Sequence, residues 1–292
     1  MNTRDLPRQR ARAVLVLSGK GGIGKTMWQY LLACVASRAG LRVLVIDADP
    51  VANMARRLGV GRHVAGLDAV LQAAGVRAGS HDPAAGAAAF KEHVIDLATI
   101  MPVWTGVHFL PAGPELQSVA QINLPELWVL RDVLEDAGVF DDYDLVLLDS
   151  GGRTGQLVQA TMYAADVAYT PISDTDDAIA LAREARDRVT RLQRVHPLQW
   201  KGAVLTNFSA QVGIDGGLRI KAVDELGEAI RAELPRRSVL KEIYMYGERL
   251  GDRGDVKTRR LAWVVGAFLQ RDLLDQSFDG LPQDAPAEGM LV

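Results

Sequence analysis

Nine consecutive residues, Ser18-Gly19-Lys20-Gly21-Gly22-Ile23-Gly24-Lys25-Thr26, contain the spacing G-x-x-x-x-G-K-T, with Gly19, Gly24, Lys25 and Thr26 at its fixed positions. In a loop of this kind backbone N–H groups surround phosphate oxygens, the lysine reaches the β- and γ-phosphates, and the hydroxyl sits on Mg²⁺. Three carboxylates have the right sequence context to join it. Asp47 and Asp49 follow the apolar run 43–46, and Asp149 closes the apolar run 145–148. Carboxylates at the C-terminal ends of buried parallel strands lie where open α/β sheets bind ligands. The chemistry this set suits is cation-assisted transfer of a phosphoryl group to water.

Such a set works only if strand, turn and helix hold it. Residues 13–17 are apolar and partly β-branched, which predicts a buried strand before the loop, and residues 27–39 predict a helix ending near Gly40. Further strands are expected over 42–46, 107–110, 143–148, 166–172 and 202–205. Helices are expected over 66–73, 116–137 with a break at Pro125, 176–195, 215–234, and a last one with Leu261, Val264, Val265, Phe268 and Leu269 on one side. The Ala- and Gly-rich stretch 79–89 reads as a loop. Alternating strands and helices with a phosphate loop at the first turn predict an α/β fold, a doubly wound, mainly parallel sheet flanked by helices. The expected organisation is a basic tail over 1–12, one domain over 13–275 and an acidic tail over 276–292. The first tail reads as solvated chain or as a basic arm on phosphates.

Composition narrows the class. The chain has 292 residues, 48% of them hydrophobic, and a net charge of −3, so no bulk charge draws the molecule onto nucleic acid. There are 26 Arg against 7 Lys, and two of the few lysines stand in the phosphate loop. The single cysteine, Cys34, excludes internal disulfides, argues against a cysteine-held cluster between subunits, and is expected as a small buried hydrophobe. No run of 18 apolar residues occurs and residues 1–12 have no apolar core, which points to the cytoplasm. Residues 201–260 hold twelve Lys or Arg against nine Asp or Glu. They read either as a basic face or as an ordinary solvated surface.

The second loop lysine, Lys20, gives Lys-Gly-Gly-Ile-Gly-Lys-Thr, which resembles the deviant Walker A of the ParA/MinD class of P-loop ATPases. Asp47-Ala48-Asp49-Pro50-Val51-Ala52-Asn53 resembles the D-x-D-P-x-x-N segment of ParA proteins, and Leu110-Pro111-Ala112-Gly113 their L-P-A-G segment. Residues 143–149 resemble a Walker B strand. The resemblance implies ATP and Mg²⁺ as cofactors and a homodimer closed on two nucleotides, with Lys20 reaching the partner's nucleotide. It implies catalytic roles for Lys20, Lys25 and Asp49, the last orienting the attacking water. Nucleotide contacts would come from Gly19, Lys20, Gly21, Gly22, Ile23, Gly24, Lys25, Thr26 and Met27. Asn207 would read the adenine edge, its other reading being a turn asparagine. Thr26, Asp47 and Asp149 would serve the metal. Asp49, Asn53, Gly151, Gly152 and Arg153 would switch with nucleotide state, although Arg153 also reads as a solvated loop arginine.

The chain departs from the family pattern at Met27, where a second hydroxyl is usual, and at Val51, where glutamine is usual. It is expected to be the small form, without an N-terminal helix-turn-helix DNA-reading domain and without a basic amphipathic C-terminal helix, and residues from Asp272 onward include five acidic and no basic ones, unsuited to an anionic membrane. The function implied is partition of plasmid or chromosome by a nucleoid-associated, slow ATPase. It would bind DNA non-specifically and be stimulated by a cargo- or centromere-bound partner. Arg219, Lys221, Arg236, Arg237, Arg259 and Arg260 are the candidate DNA contacts. The alternatives are a positioning ATPase for a protein assembly or membrane-bound machine and, opposed by the lack of cluster cysteines, a nitrogenase-like reductase.

Overall fold

Apolar runs without period-two alternation become strands covered on both faces. The computed structural model describes residues 10–274 except 21, 120, 122, 123, 125, 153, 154, 176, 209–212, 237 and 254. Its strands are β1 (Arg12–Val16), β2 (Val43–Ala48), β3 (Ile95–Asp96), β4 (Val107–Leu110), β5 (Leu145–Ser150), β6 (Val167–Ile172), β7 (Gln199–Phe208) and β8 (Ile230–Pro235). They form one sheet in the order β3-β4-β2-β5-β1-β6-β7-β8, parallel except for the short pairing of β3 with β4. The register sets Val16 beside Asp149 and Asp47 beside Asp149, so the phosphate loop and both buried carboxylates leave the sheet at one end.

The helices are α1 (Lys25–Arg38), α2 (Asn53–Arg57), α3 (Leu67–Ala73), α4 (Pro83–His93), α5 (Leu116–Val119), α6 (Val129–Asp136), α7 (Val139–Asp142), α8 (Gln156–Ala164), α9 (Ala178–Leu192), α10 (Gly213–Leu226), α11 (Ser238–Tyr246) and α12 (Val256–Phe268). Right-handed crossovers place α1, which carries the chain from β1 toward β2, on one face. They place α8, α9 and α10, which carry it the other way, on the opposite face. α12 packs beside α1, where Phe268 meets Trp28 and Tyr169 edge-on at ring separations of 4.9 Å. Ile179 and Ala182 of α9 close a smaller cluster with Ala222 and Leu226 of α10.

Three expectations change. The stretch 79–89 is largely helix α4, because Asp82 caps it by accepting from Ala85 N at 3.0 Å and Pro83 takes the first helical position. The helix expected over 215–234 ends at Leu226, and residues 230–235 form β8, whose Ala232 and Leu234 are buried beside β7. The expected break in 116–137 separates two helices, α5 and α6. Asp272 belongs to a buried cluster rather than an acidic tail: in a π-helical turn, Leu269–Leu274, its carboxylate accepts from Arg231 Nε at 2.6 Å and Arg271 Nε at 2.9 Å.

Candidate functional site

The phosphate loop leaves β1 and enters α1 through Gly24, whose φ of +94° lies in the left-handed region that favours glycine. Gly22 has the same handedness at +78°. Ser18 tightens the turn, its hydroxyl bridging Lys20 N and Lys20 O at 3.0 Å each. Thr206 at the end of β7 clamps the loop from the other side, donating to Ile23 O at 3.1 Å. The buried amide of Gln29 donates to Val14 O at 3.3 Å and Leu148 O at 2.9 Å, tying α1 to the strands that carry the loop and Asp149.

Lys25 is 6% exposed and its ammonium donates to Lys20 O at 2.9 Å. Burial lowers its pKa, against the pull of Asp149 and Asp49. Asp47 and Asp149 are fully buried. Burial first, then the neighbouring Asp149, raises Asp47 well above the ordinary carboxylate range. Burial pushes Asp149 up to about 7, while a nearby Thr26 hydroxyl favours its charged form. Asp47 Oδ1 accepts from Asp49 N at 3.1 Å, whereas Asp47 Oδ2 and both oxygens of Asp149 lack a hydrogen bond of good geometry.

Three unsatisfied, buried carboxylate oxygens beside a lysine and a threonine fit a cation that arrives with phosphates. No cluster of three or more metal-ligating His, Cys, Asp or Glu occurs among the described residues, so this is no self-sufficient metal cage. That donor set suits Mg²⁺, which is usually held by one or two carboxylates, water and substrate phosphates.

A cavity of about 1270 Å³ opens here, and Gly24, Lys25, Thr26, Asp49, Asn53 and Asn207 are among its lining residues. Gly19, Lys20, Gly22, Ile23, Met27, Gly151 and Gly152 line it as well. Asp49 turns back on its own loop, accepting from Val51 N at 3.0 Å, and a Cβ at Gly151 would lie 3.4 Å from Asp49 Oδ1. Lys20 reaches outward, with its ammonium 2.8 and 3.0 Å from the two oxygens of Asp177. Asn207 has a left-handed backbone, φ +65°, and its amide donates to Asp174 Oδ1 at 3.0 Å. Gly21 and Arg153 lie outside the described residues.

The expected basic face is not one surface. Arg219 on α10 holds Glu233 at 2.9 Å, Lys221 lies 3.9 Å from Glu225, and Arg236 pairs with Asp174 at the rim of the cavity. Arg259 and Arg260 ride on α12, on the other side of the sheet from α10, and Arg237 is outside the described residues. Among the described residues, Arg188 and Arg191 in the C-terminal half of α9, Arg194 in the turn after it and Lys201 on β7 have no acidic partner. Sequence reading also misses the second wall of the cavity. It is built from Arg57 on α2 and from Leu240, Lys241 and Tyr244 on α11. No spacing rule relates these residues to the phosphate loop.

Residues 11–194 match the AAA domain family (AAA_31). Over 249 residues the chain is 28% identical to the chromosome partitioning protein ParA of Caulobacter vibrioides, covering 81% of this chain and 85% of that protein. Over 165 residues it is 32% identical to the chromosome-partitioning ATPase Soj of Thermus thermophilus, covering 56% of each, so the match spans little more than half of that relative's length. A Cyanothece McdA variant in complex with ATP superposes with a TM-score of 0.72 at 17% identity, covering 95% of this chain and 100% of that one. The MinC:MinD cell division protein complex of Aquifex aeolicus gives 0.69 at 18%, covering 94% and 99%. The likeness to these solved structures is one of fold.

Proposed function

Because the chain belongs to the AAA domain family AAA_31, we propose that it is an ATPase of the ParA/MinD type and hydrolyses ATP inside a nucleotide-closed homodimer that partitions DNA. The observation that carries this reading is the pair of lysines on one phosphate loop, Lys25 turned in beneath it and Lys20 turned out. Lys25 and the loop N–H groups bind the phosphate chain, and Asp49 at the cavity wall holds the attacking water in line. When bound, Mg²⁺ would neutralise negative charge on the phosphates, and Thr26, Asp47 and Asp149 are the residues that would hold it. Lys20 is free to turn toward a partner subunit because its present contact lies at the surface.

The dimer binds duplex DNA without sequence preference, and a cargo-bound protein triggers hydrolysis. The names of the Caulobacter and Thermus relatives support a partition role. Arg188 and Arg191 of α9, which have no acidic partner among the described residues, supply cationic surface that two subunits would double. A second reading, positioning of a protein assembly, is favoured by one observation: Arg219 and Arg236 of the expected basic region are engaged by carboxylates of the same chain. No helix among the described residues is long and apolar enough to cross a membrane.

The test combines light scattering with fluorescence anisotropy on two unrelated duplexes, using Asp49→Ala with ATP, with ADP and without nucleotide. A dimer that binds both duplexes only with ATP supports the proposal. A dimer that ignores DNA moves the chain to the positioning reading, and a monomer at saturating ATP overturns the sandwich.

A further inference from the structure

Arg57 is the last residue of α2, the short helix that follows the Asp47-Ala48-Asp49-Pro50 turn. Ala52, with φ +53°, caps the start of that helix. α11 packs against α2. There the guanidinium of Arg57 lies over the ring of Tyr244, 4.7 Å from its centroid. Tyr244 is backed edge-on by Tyr30 of α1 at 5.4 Å, and Tyr30 by Trp104 at 5.3 Å. Arg57 and Tyr244 thus form a rigid shelf, and both line the cavity that holds Lys25 and Asp49.

The guanidinium is under-used on that shelf. Its Nη1 makes one long hydrogen bond, 3.5 Å to Met245 O, and its Nε is buried with no partner. No carboxylate among the described residues forms an ion pair with it, unlike Arg219, Arg231, Arg236, Arg249 and Arg253. A planar fork of five donors, stacked on an aromatic ring and left without an anion, matches the geometry of phosphate oxygens.

We propose that Arg57, laid on Tyr244, contacts the terminal phosphate of bound ATP from within the same chain and makes the site discriminate ATP from ADP. This rests on the ATPase reading above. The contact joins the γ-phosphate to α2, and hence to the turn bearing Asp49, and through Tyr244 to α11. Nucleotide state then reaches two helices outside the phosphate loop.

The test measures dissociation constants of the full chain with Mg²⁺ for a non-hydrolysable ATP analogue and for ADP, by isothermal titration. Arg57→Ala should weaken the analogue by about tenfold to a hundredfold, as expected for loss of a charge-assisted hydrogen bond, while ADP stays within about twofold. Arg57→Lys keeps the charge but loses the fork, so it should recover part of the preference. Tyr244→Leu removes the shelf and should reduce the preference while Arg57 remains. Thermal unfolding without nucleotide reports whether each variant folds, and if Arg57→Ala fails, Arg57→Lys carries the comparison. Equal losses for both nucleotides, or none, would overturn the proposal and leave Arg57 a strut between α2 and α11. A wild-type chain that binds neither nucleotide would overturn the ATPase reading as well.

Discussion

The ammonium of Lys20 sits between both oxygens of Asp177, at 2.8 and 3.0 Å, on the surface beside the cavity mouth. Asp177 has its pKa lowered, first by the hydrogen bond from Lys20. A lysine that must reach a second subunit has to leave this contact. Lys20→Ala should abolish ATP-dependent dimerisation. Asp177→Ala should raise the dimer fraction at a given ATP concentration and leave ATP affinity unchanged. Light scattering across an ATP titration checks both, and a dimer fraction that falls in Asp177→Ala would mean the carboxylate serves the dimer instead.

Asp49→Ala should bind ATP with near wild-type affinity and turn it over about a hundredfold or more slowly, as loss of a water-positioning group does. Phosphate contacts come from Lys25 and the loop, which this substitution leaves intact. Single-turnover release of labelled phosphate, beside equilibrium binding, separates the two effects. Wild-type turnover in the variant would remove Asp49 from the mechanism.

Arg191 at the end of α9 and Arg194 just beyond it, which have no acidic partner among the described residues, make the DNA prediction local. Arg191→Glu with Arg194→Glu should weaken ATP-dependent binding equally on unrelated duplexes, without loss of ATP binding. Wild-type affinity should fall about a thousandfold between roughly 50 and 200 mM salt if about six phosphates are neutralised. Charge reversal with no effect would place the interface elsewhere or favour the positioning function.

Burial pushes the Cys34 thiol up to about 12. Native protein at pH 8 should therefore resist a thiol reagent that labels the denatured chain at once. The linkage sign follows from a folded pKa above the unfolded one. The group's contribution to stability is intact below the unfolded pKa of about 8.5 and is lost as pH rises through that value toward the folded one. The denaturation midpoint of wild type should drop more between pH 8 and pH 11 than that of Cys34→Ala.

Much of the site is readable from sequence because local rules coincide. The run before Ser18 and the carboxylate after Leu148 each mark a strand end by composition, and the parallel register then brings Val16, Asp47 and Asp149 together. Cys34 is buried in α1 as expected. Helix α4 escapes such reading because alanine and glycine counts outweigh the cap at Asp82. Strand β8 escapes it because its buried Ala232 and Leu234 are flanked by Arg231 and Glu233, which suit a helix equally well. Arg57 and Tyr244 are invisible for a different reason: they meet through tertiary packing across a long stretch of chain. Likewise no count of charge in 201–260 tells which arginines are neutralised by a neighbouring carboxylate.

Gly113→Ala should cost about 2–4 kcal/mol, because φ there is +86° and a Cβ would stand 1.8 Å from Asp68 Oδ1. Chemical denaturation would detect a loss of that size in the midpoint. A variant as stable as wild type would show that the Asp68 carboxylate can move aside.

That carboxylate has a wider meaning. Asp68 is buried and accepts from Gly66 N at 2.9 Å, Ala69 N at 2.7 Å and Glu115 N at 2.8 Å. One side chain thus fastens the start of α3 to the turn after β4, closing the excursion that the chain makes between β2 and β4. In hydrogen-exchange terms these three amides share one lock. They should gain and lose protection together, as one cooperative unit distinct from the phosphate loop, so the L-P-A-G signature records backbone clearance around a latch.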